Sequence, residues 1–152
     1  LTKARQIAER ECVAVLLFDP TEASAALREF EHSLHPDDFI DHETNQLAHY
    51  VFPKLQAGSL YTISEIGTDL GEDIKEAATS YFFLGERICK ENGSVMRAIQ
   101  VTIEAFLCII QKQSIRAEVK VVQQATDETA KAQAAQQAIE SIRRKQSARN
   151  AS

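Results

Sequence analysis

Between Ser94 and about Gln124 the chain holds no glycine and no proline, while Val95, Ile99, Ile103, Phe106 and Ile110 recur at three- and four-residue steps. That period belongs to an amphipathic helix. At 1.5 Å per residue the helix would be roughly 45 Å long, more than a small globular body can cover. Ser94 is a good N-cap. After it, Ala125-Thr126 reads as a tight turn, and Asp127 can cap a second helix from Glu128 to about Arg149. A long helix, a short turn and a returning helix make a helical hairpin over 94–149. The returning helix is rich in Ala and Gln, and its only large apolar side chains are Ile139 and Ile142. It is too polar for a core of its own. Either both isoleucines pack thinly on the long helix, or they await another protein.

Upstream the reading is helical nearly throughout, as five Gly and three Pro in 152 residues favour long helices. Residues 2–18 place Ile7, Val13, Leu16 and Leu17 on helical spacing behind Thr2, and Asp19-Pro20 ends that helix. Thr21 can cap a second helix carrying Ala25, Ala26, Leu27 and Phe30. Residues 34–39 form a connecting loop with a short turn. Residues 42–57 follow as a third helix, in which Pro53 predicts an early end or a kink. Thr62-Ile63-Ser64-Glu65 is a capping box that opens a short helix to about Leu70, closed by Gly71. Residues 72–91 make a further helix, and Asn92-Gly93 is the clearest break in the chain. The expected architecture is all-α: a globular helical bundle at 1–92, a helical hairpin at 94–149 and a polar tail at 150–152.

The hydrophobic share, 44%, is enough for one domain, and no apolar stretch approaches the roughly 20 residues that span a bilayer. No signal peptide is visible, and three widely spaced cysteines (Cys12, Cys89, Cys108) suit reduced thiols in a cytoplasmic protein. The chain starts at Leu1 rather than Met, which fits a fragment of something longer. A net charge of −5 argues against strong direct binding of nucleic acid. The charge is uneven. Residues 1–126 carry 12 basic and 19 acidic side chains, and residues 127–152 carry 5 and 3. Residues 19–43 hold eight acids and one base, Arg28, which reads as a docking surface for a basic partner or as a solvated face.

Catalytic constellations are sparse. Four histidines (His32, His35, His42, His49) lie near Asp37, Asp38, Asp41 and Glu43, yet no His-x3-His occurs and Glu-x2-His occurs once only, at Glu29 and His32, not as the pair a metal-bearing bundle needs. No Ser sits in a G-x-S-x-G turn, no glycine-rich phosphate loop exists, and Cys12 lies in an apolar stretch that suggests an inert thiol. Paired carboxylates such as Asp37-Asp38 and Glu72-Asp73 stand at helix starts, where the macrodipole accounts for them. No catalytic residue, metal site or cofactor is expected.

A resemblance follows from order and spacing. The charged Glu9-Arg10-Glu11 start, the apolar run ending Leu16-Leu17-Phe18-Asp19-Pro20, an acidic helix, and Leu34-His35-Pro36-Asp37-Asp38-Phe39-Ile40-Asp41-His42 lead into another helix. This pattern resembles the C-terminal domain of bacterial DnaG-type primases and its structural relative, the N-terminal domain of DnaB-type replicative helicases. The helix at 47–55, Gly58 and the capped helix at 62–70 continue the order, so the resemblance covers essentially the whole chain. The hairpin ending and the Lys- and Arg-bearing returning helix are more similar to the primase, whereas the Pro36-to-Phe39 element is at least as typical of the helicase. The resemblance implies a non-catalytic module that binds the hexameric replicative helicase and tethers primer synthesis to the fork. On the returning helix it puts Gln136, Ile139, Ile142, Arg143, Arg144 and Lys145 at the contact, with the isoleucines as anchors and the basic residues as rim. Two other classes fit less well. One is a helical adaptor or coiled-coil oligomer that self-associates through 94–149, for which the a/d pattern in 127–149 is too interrupted to make a strict heptad zipper. The other is a metal-bearing bundle enzyme, against which the missing Glu-x2-His pairs speak.

Overall fold

The computed structural model describes residues 1–151, with side chains as far as Arg149, so the polar tail expected at 150–152 lies at or beyond the limit of the described residues. The described residues form six α-helices and no strand: α1 (Lys3–Phe18), α2 (Pro20–Glu29), α3 (His42–Gln56), α4 (Ile63–Leu70), α5 (Glu72–Glu91) and α6 (Val95–Ala151). The chain is all-α, as its spacing predicts. It divides into two compact units, Leu1–Gln111 and Lys112–Ser152.

In the first unit, α1 is the central helix. Cys12, Val13, Ala14, Val15, Leu16 and Leu17 are all buried, and six consecutive buried residues cover every side of a helix. Helices α2, α3 and α5 pack around it. Ile7, read as a core residue from its spacing, is 45% exposed. The approach of α5 is closest at Gly85, where an added Cβ would stand 2.2 Å from the Ala14 carbonyl oxygen.

The boundaries follow local chemistry. Thr2 Oγ1 accepts from Arg5 N at 3.2 Å to start α1. Asp19 rather than Thr21 caps α2: its carboxylate accepts from Glu22 N at 3.1 Å, with Pro20 in the first turn where no donor is needed. Proline 53 does not end α3, which continues to Gln56. A proline this near the C-terminus removes one hydrogen bond from a helix already held by the burial of Leu47, Val51, Phe52 and Leu55. Thr62 Oγ1 accepts from Glu65 N at 3.2 Å, and Gly71, at φ +100°, separates α4 from α5 in a backbone conformation that costs other residues strain.

Residues 36–38 form a single 3-10 turn that delivers Phe39 into the core. Its ring meets Phe52 of α3 at 5.7 Å and Phe106 of α6 at 5.0 Å between centroids. Ile99, Ile103 and Phe106 are fully buried in the same core. The start of α6 therefore belongs to the bundle, and the division falls after Gln111 rather than at 92–94.

The larger departure from expectation is the hairpin. No turn interrupts α6 at 125–126; it is one helix of 57 residues. Asp127 is helical and caps nothing. The segment contains no glycine or proline to break the ladder. Its two threonines satisfy their hydroxyls within the helix, Thr126 Oγ1 donating to Val122 O and Thr129 Oγ1 to Ala125 O, both at 2.9 Å. Alanines on either side supply the highest helix propensity, so a Thr-Asp pair is no stop signal here.

Candidate protein-docking face on the C-terminal helix

Every residue from Ser114 to Arg149 is exposed. Isolated helices are marginal in water, and this one carries six large apolar side chains in the open: Ile115, Val119, Val121, Val122, Ile139 and Ile142. With about 100° between successive residues, they fall on two ridges. Ile115, Val119 and Val122 make one at steps of four and three. Val121, Ala125, Ala132, Ala135, Ile139 and Ile142 make the other, with Glu128 at its middle. Neither ridge is covered by any residue of the second unit.

The residues expected at a partner contact all lie on this helix. Gln136, Ile139, Ile142 and Arg143 share one face, with Ile139 51% and Ile142 57% exposed. Arg144 and Lys145 point round the helix on either side, so only Arg143 of the basic trio stands on the apolar ridge. Ile142 and Lys145 also border a shallow groove with Gln146 and Arg149. Neither isoleucine packs against a returning helix, because α6 does not return. Segment 112–149 holds eight basic and four acidic side chains, whereas residues 1–111 hold 9 and 18.

Half of the acids in 19–43 serve the structure. Asp19 caps α2, Asp38 Oδ2 accepts from His35 N at 2.9 Å, Glu43 accepts from the Tyr81 hydroxyl at 3.0 Å, and Glu29 accepts from Gln100 at 3.0 Å. Burial and the Glu43 carboxylate push the Tyr81 hydroxyl up to about 12. The other four, Glu22, Glu31, Asp37 and Asp41, make none of these bonds, and Ile40 is exposed among Asp37, Asp38 and Asp41. The histidines are dispersed: His49 pairs with Asp37 at 3.1 Å, His42 meets Gln46 at 3.2 Å, and His32 pairs with Glu31 at 3.2 Å. Among the described residues no three His, Cys, Asp or Glu side chains gather as a metal site would require. Nor is any single described helix long and apolar enough to cross a membrane.

One buried polar group escaped the sequence reading. Glu9 is fully buried on α1, with its Oε1 accepting from the backbone N–H of Ile40 and its Oε2 unpartnered. Burial raises its carboxyl above the usual range, opposed by the Ile40 and Asp41 amides and by Arg5. Arg5 in turn donates to Asp38 O at 2.8 Å. Glu9 and Arg5 thus fasten residues 38–41 to α1, behind Phe39. The only signal was a carboxylate one turn before an apolar run, which surface helices show as often. The Cys12 thiol, fully buried, is pushed up strongly by desolvation, as an inert core thiol should be.

No family model matches this chain, and no curated protein or solved structure matches it either.

Proposed function

We propose that this chain is a protein-docking module whose C-terminal helix engages a hexameric DnaB-type helicase, as the C-terminal domain of a DnaG-type primase would. The observation that carries the reading is the exposed run 114–149 with its bare isoleucines. A helix that gains nothing from a core of its own is explained by a partner that covers it. Ile139 and Ile142 anchor the contact, Gln136 and Arg143 flank them, and Arg144 and Lys145 supply a charged rim. Such a module tethers a catalytic domain near freshly unwound strand and raises its effective concentration there, with no chemistry of its own. It acts in the cytoplasm, without cofactor and without strong contact to nucleic acid.

The reading also draws on the order of elements from Glu9 to Leu70. The buried Phe39 behind a Pro36-Asp37-Asp38 turn supports a second reading, the N-terminal collar domain of the helicase itself. Calorimetry with a purified hexameric helicase separates them. Binding that disappears when 127–152 are deleted supports the docking module. Unchanged affinity after that deletion overturns the assignment of the face, and self-assembly into a ring-like collar favours the second reading.

A further inference from the structure

We propose that two copies of this chain pair side by side and antiparallel through residues 118–142 of α6. The ridge that starts at Glu118 and runs through Val121, Ala125, Glu128, Ala132, Ala135, Ile139 and Ile142 keeps a strict alternation of steps of four and three. That alternation is the spacing of a two-helix coiled-coil seam, with alanines and two glutamates taking five of its eight positions. The seam is also self-complementary when reversed. Laid antiparallel about its midpoint, Val121 of each copy meets Ile139 of the other. Ala125 meets Ala135, Glu128 meets Ala132, and Glu118 meets Ile142. Val121 and Ile139 form the large apolar pair, the alanines face an alanine or the flexible Glu128, and the Glu118 stem lies along Ile142, so the contact runs for about 37 Å.

Charge fixes the orientation. In the antiparallel register Glu128 of one copy lies beside Lys131 of the other, and Glu118 lies beside Arg143, each pair occurring twice. In a parallel register Glu118 would face Glu118 and Glu128 would face Glu128 across the seam, with no cation opposite either. Like charges at core positions are costly, so the parallel pair is selected against. Asp127, one turn before Lys131 on the same helix, further tempers the approach of the two Lys131 side chains at the centre. All these residues are exposed in the single chain, so pairing requires no unfolding. The inference does not depend on the helicase reading. A face of this width holds one helix at a time, and a partner that docks on Ile139 and Ile142 must displace the second copy.

The test uses the full chain with no partner present. Sedimentation velocity over a dilution series should show the monomer mass rising to the dimer mass. Glu118→Arg and Arg143→Glu should each shift the midpoint to about tenfold higher concentration, and the double exchange should restore it. In a Cys108→Ser background, Val121→Cys combined with Ile139→Cys should give a covalent dimer under mild oxidation, while Val121→Cys alone should not. Circular dichroism of each variant verifies that the helix is retained. A chain that stays monomeric throughout, single exchanges without effect, or ready crosslinking of Val121→Cys alone would each overturn the proposal.

Discussion

Gly85 is where the bundle is least able to give. The α1–α5 approach leaves no room for a side chain there: a Cβ would lie 2.2 Å from the Ala14 carbonyl oxygen, 2.7 Å from its carbon and 3.0 Å from Phe18 Cβ. Two of those three atoms are backbone, so no rotamer change relieves the clash, and trimming Ala14 would not help. For Gly85→Ala the helices must separate locally by about an ångström, opening contacts along a pair in which α1 is buried on every side. Overpacking of this kind costs typically 1–3 kcal/mol, and the backbone nature of the obstacle puts it at the upper end. Against this stands the gain of about 1 kcal/mol from replacing glycine by alanine inside a helix. The net expectation is a loss of about 2 kcal/mol, which for a chain of this size lowers Tm by about 4–8 °C. Gly67→Ala is the internal control. Its nearest neighbours would all be Lys75 side-chain atoms, Cδ at 2.6 Å and Cγ and Cβ at 3.1 Å; the outer stem can swing away, and the Cβ contact needs a shift of only a few tenths of an ångström. Thermal unfolding by circular dichroism should therefore show Gly67→Ala close to the parent and Gly85→Ala well below it. If Gly85→Ala unfolds at or above the parent temperature, the close approach of α1 and α5 is wrong.

Other outcomes follow from the same packing. Phe39→Ala should cost about 3–5 kcal/mol by denaturant unfolding, since its ring joins α3 and α6 in the core. Glu9, whose carboxyl is raised by burial, holds its proton more tightly folded than unfolded, so its contribution to stability is greatest at low pH. It declines as pH rises from the usual carboxylate value through the raised one, and Glu9→Gln should flatten that part of a pH–stability curve. Of the three cysteines only Cys108 is exposed, so native-state alkylation followed by mass spectrometry should add one label, with Cys12 and Cys89 reacting after denaturation. With a purified helicase, Ile142→Asp should weaken binding by about 2 kcal/mol in calorimetry. Charge reversal at Arg144 should act mainly on association rate and salt dependence.

The bundle was legible because its signals are local. Thr2, Thr62 and Ser94 each announce a helix by offering a side-chain acceptor to the amide three residues on, and their caps form as the spacing predicts. Glycines 71 and 93 mark breaks because both adopt positive φ. Where two local signals compete, the sequence cannot rank them: Asp19 and Thr21 both suit a cap, and Pro20 decides for Asp19 by taking the first helical turn. The continuity of α6 was hidden for a related reason. Thr126 and Asp127 have the composition of a boundary, yet a boundary also needs an alternative home for the chain beyond it. A returning helix of alanine and glutamine offers the first stretch of α6 little apolar area to cover, so nothing opposes the ladder from running on. Gly85 and Glu9 were illegible because their roles exist only across α1–α5 and α1–residue 40, contacts far apart in the chain. The proposed docking face falls between these cases. Composition already marked 127–149 as a helix without a core, but which residues share its face depended on whether the helix turned back. With no turn at 125–126, Ile139 and Ile142 share a ridge with Val121 and the intervening alanines, and the two anchors become part of the proposed seam.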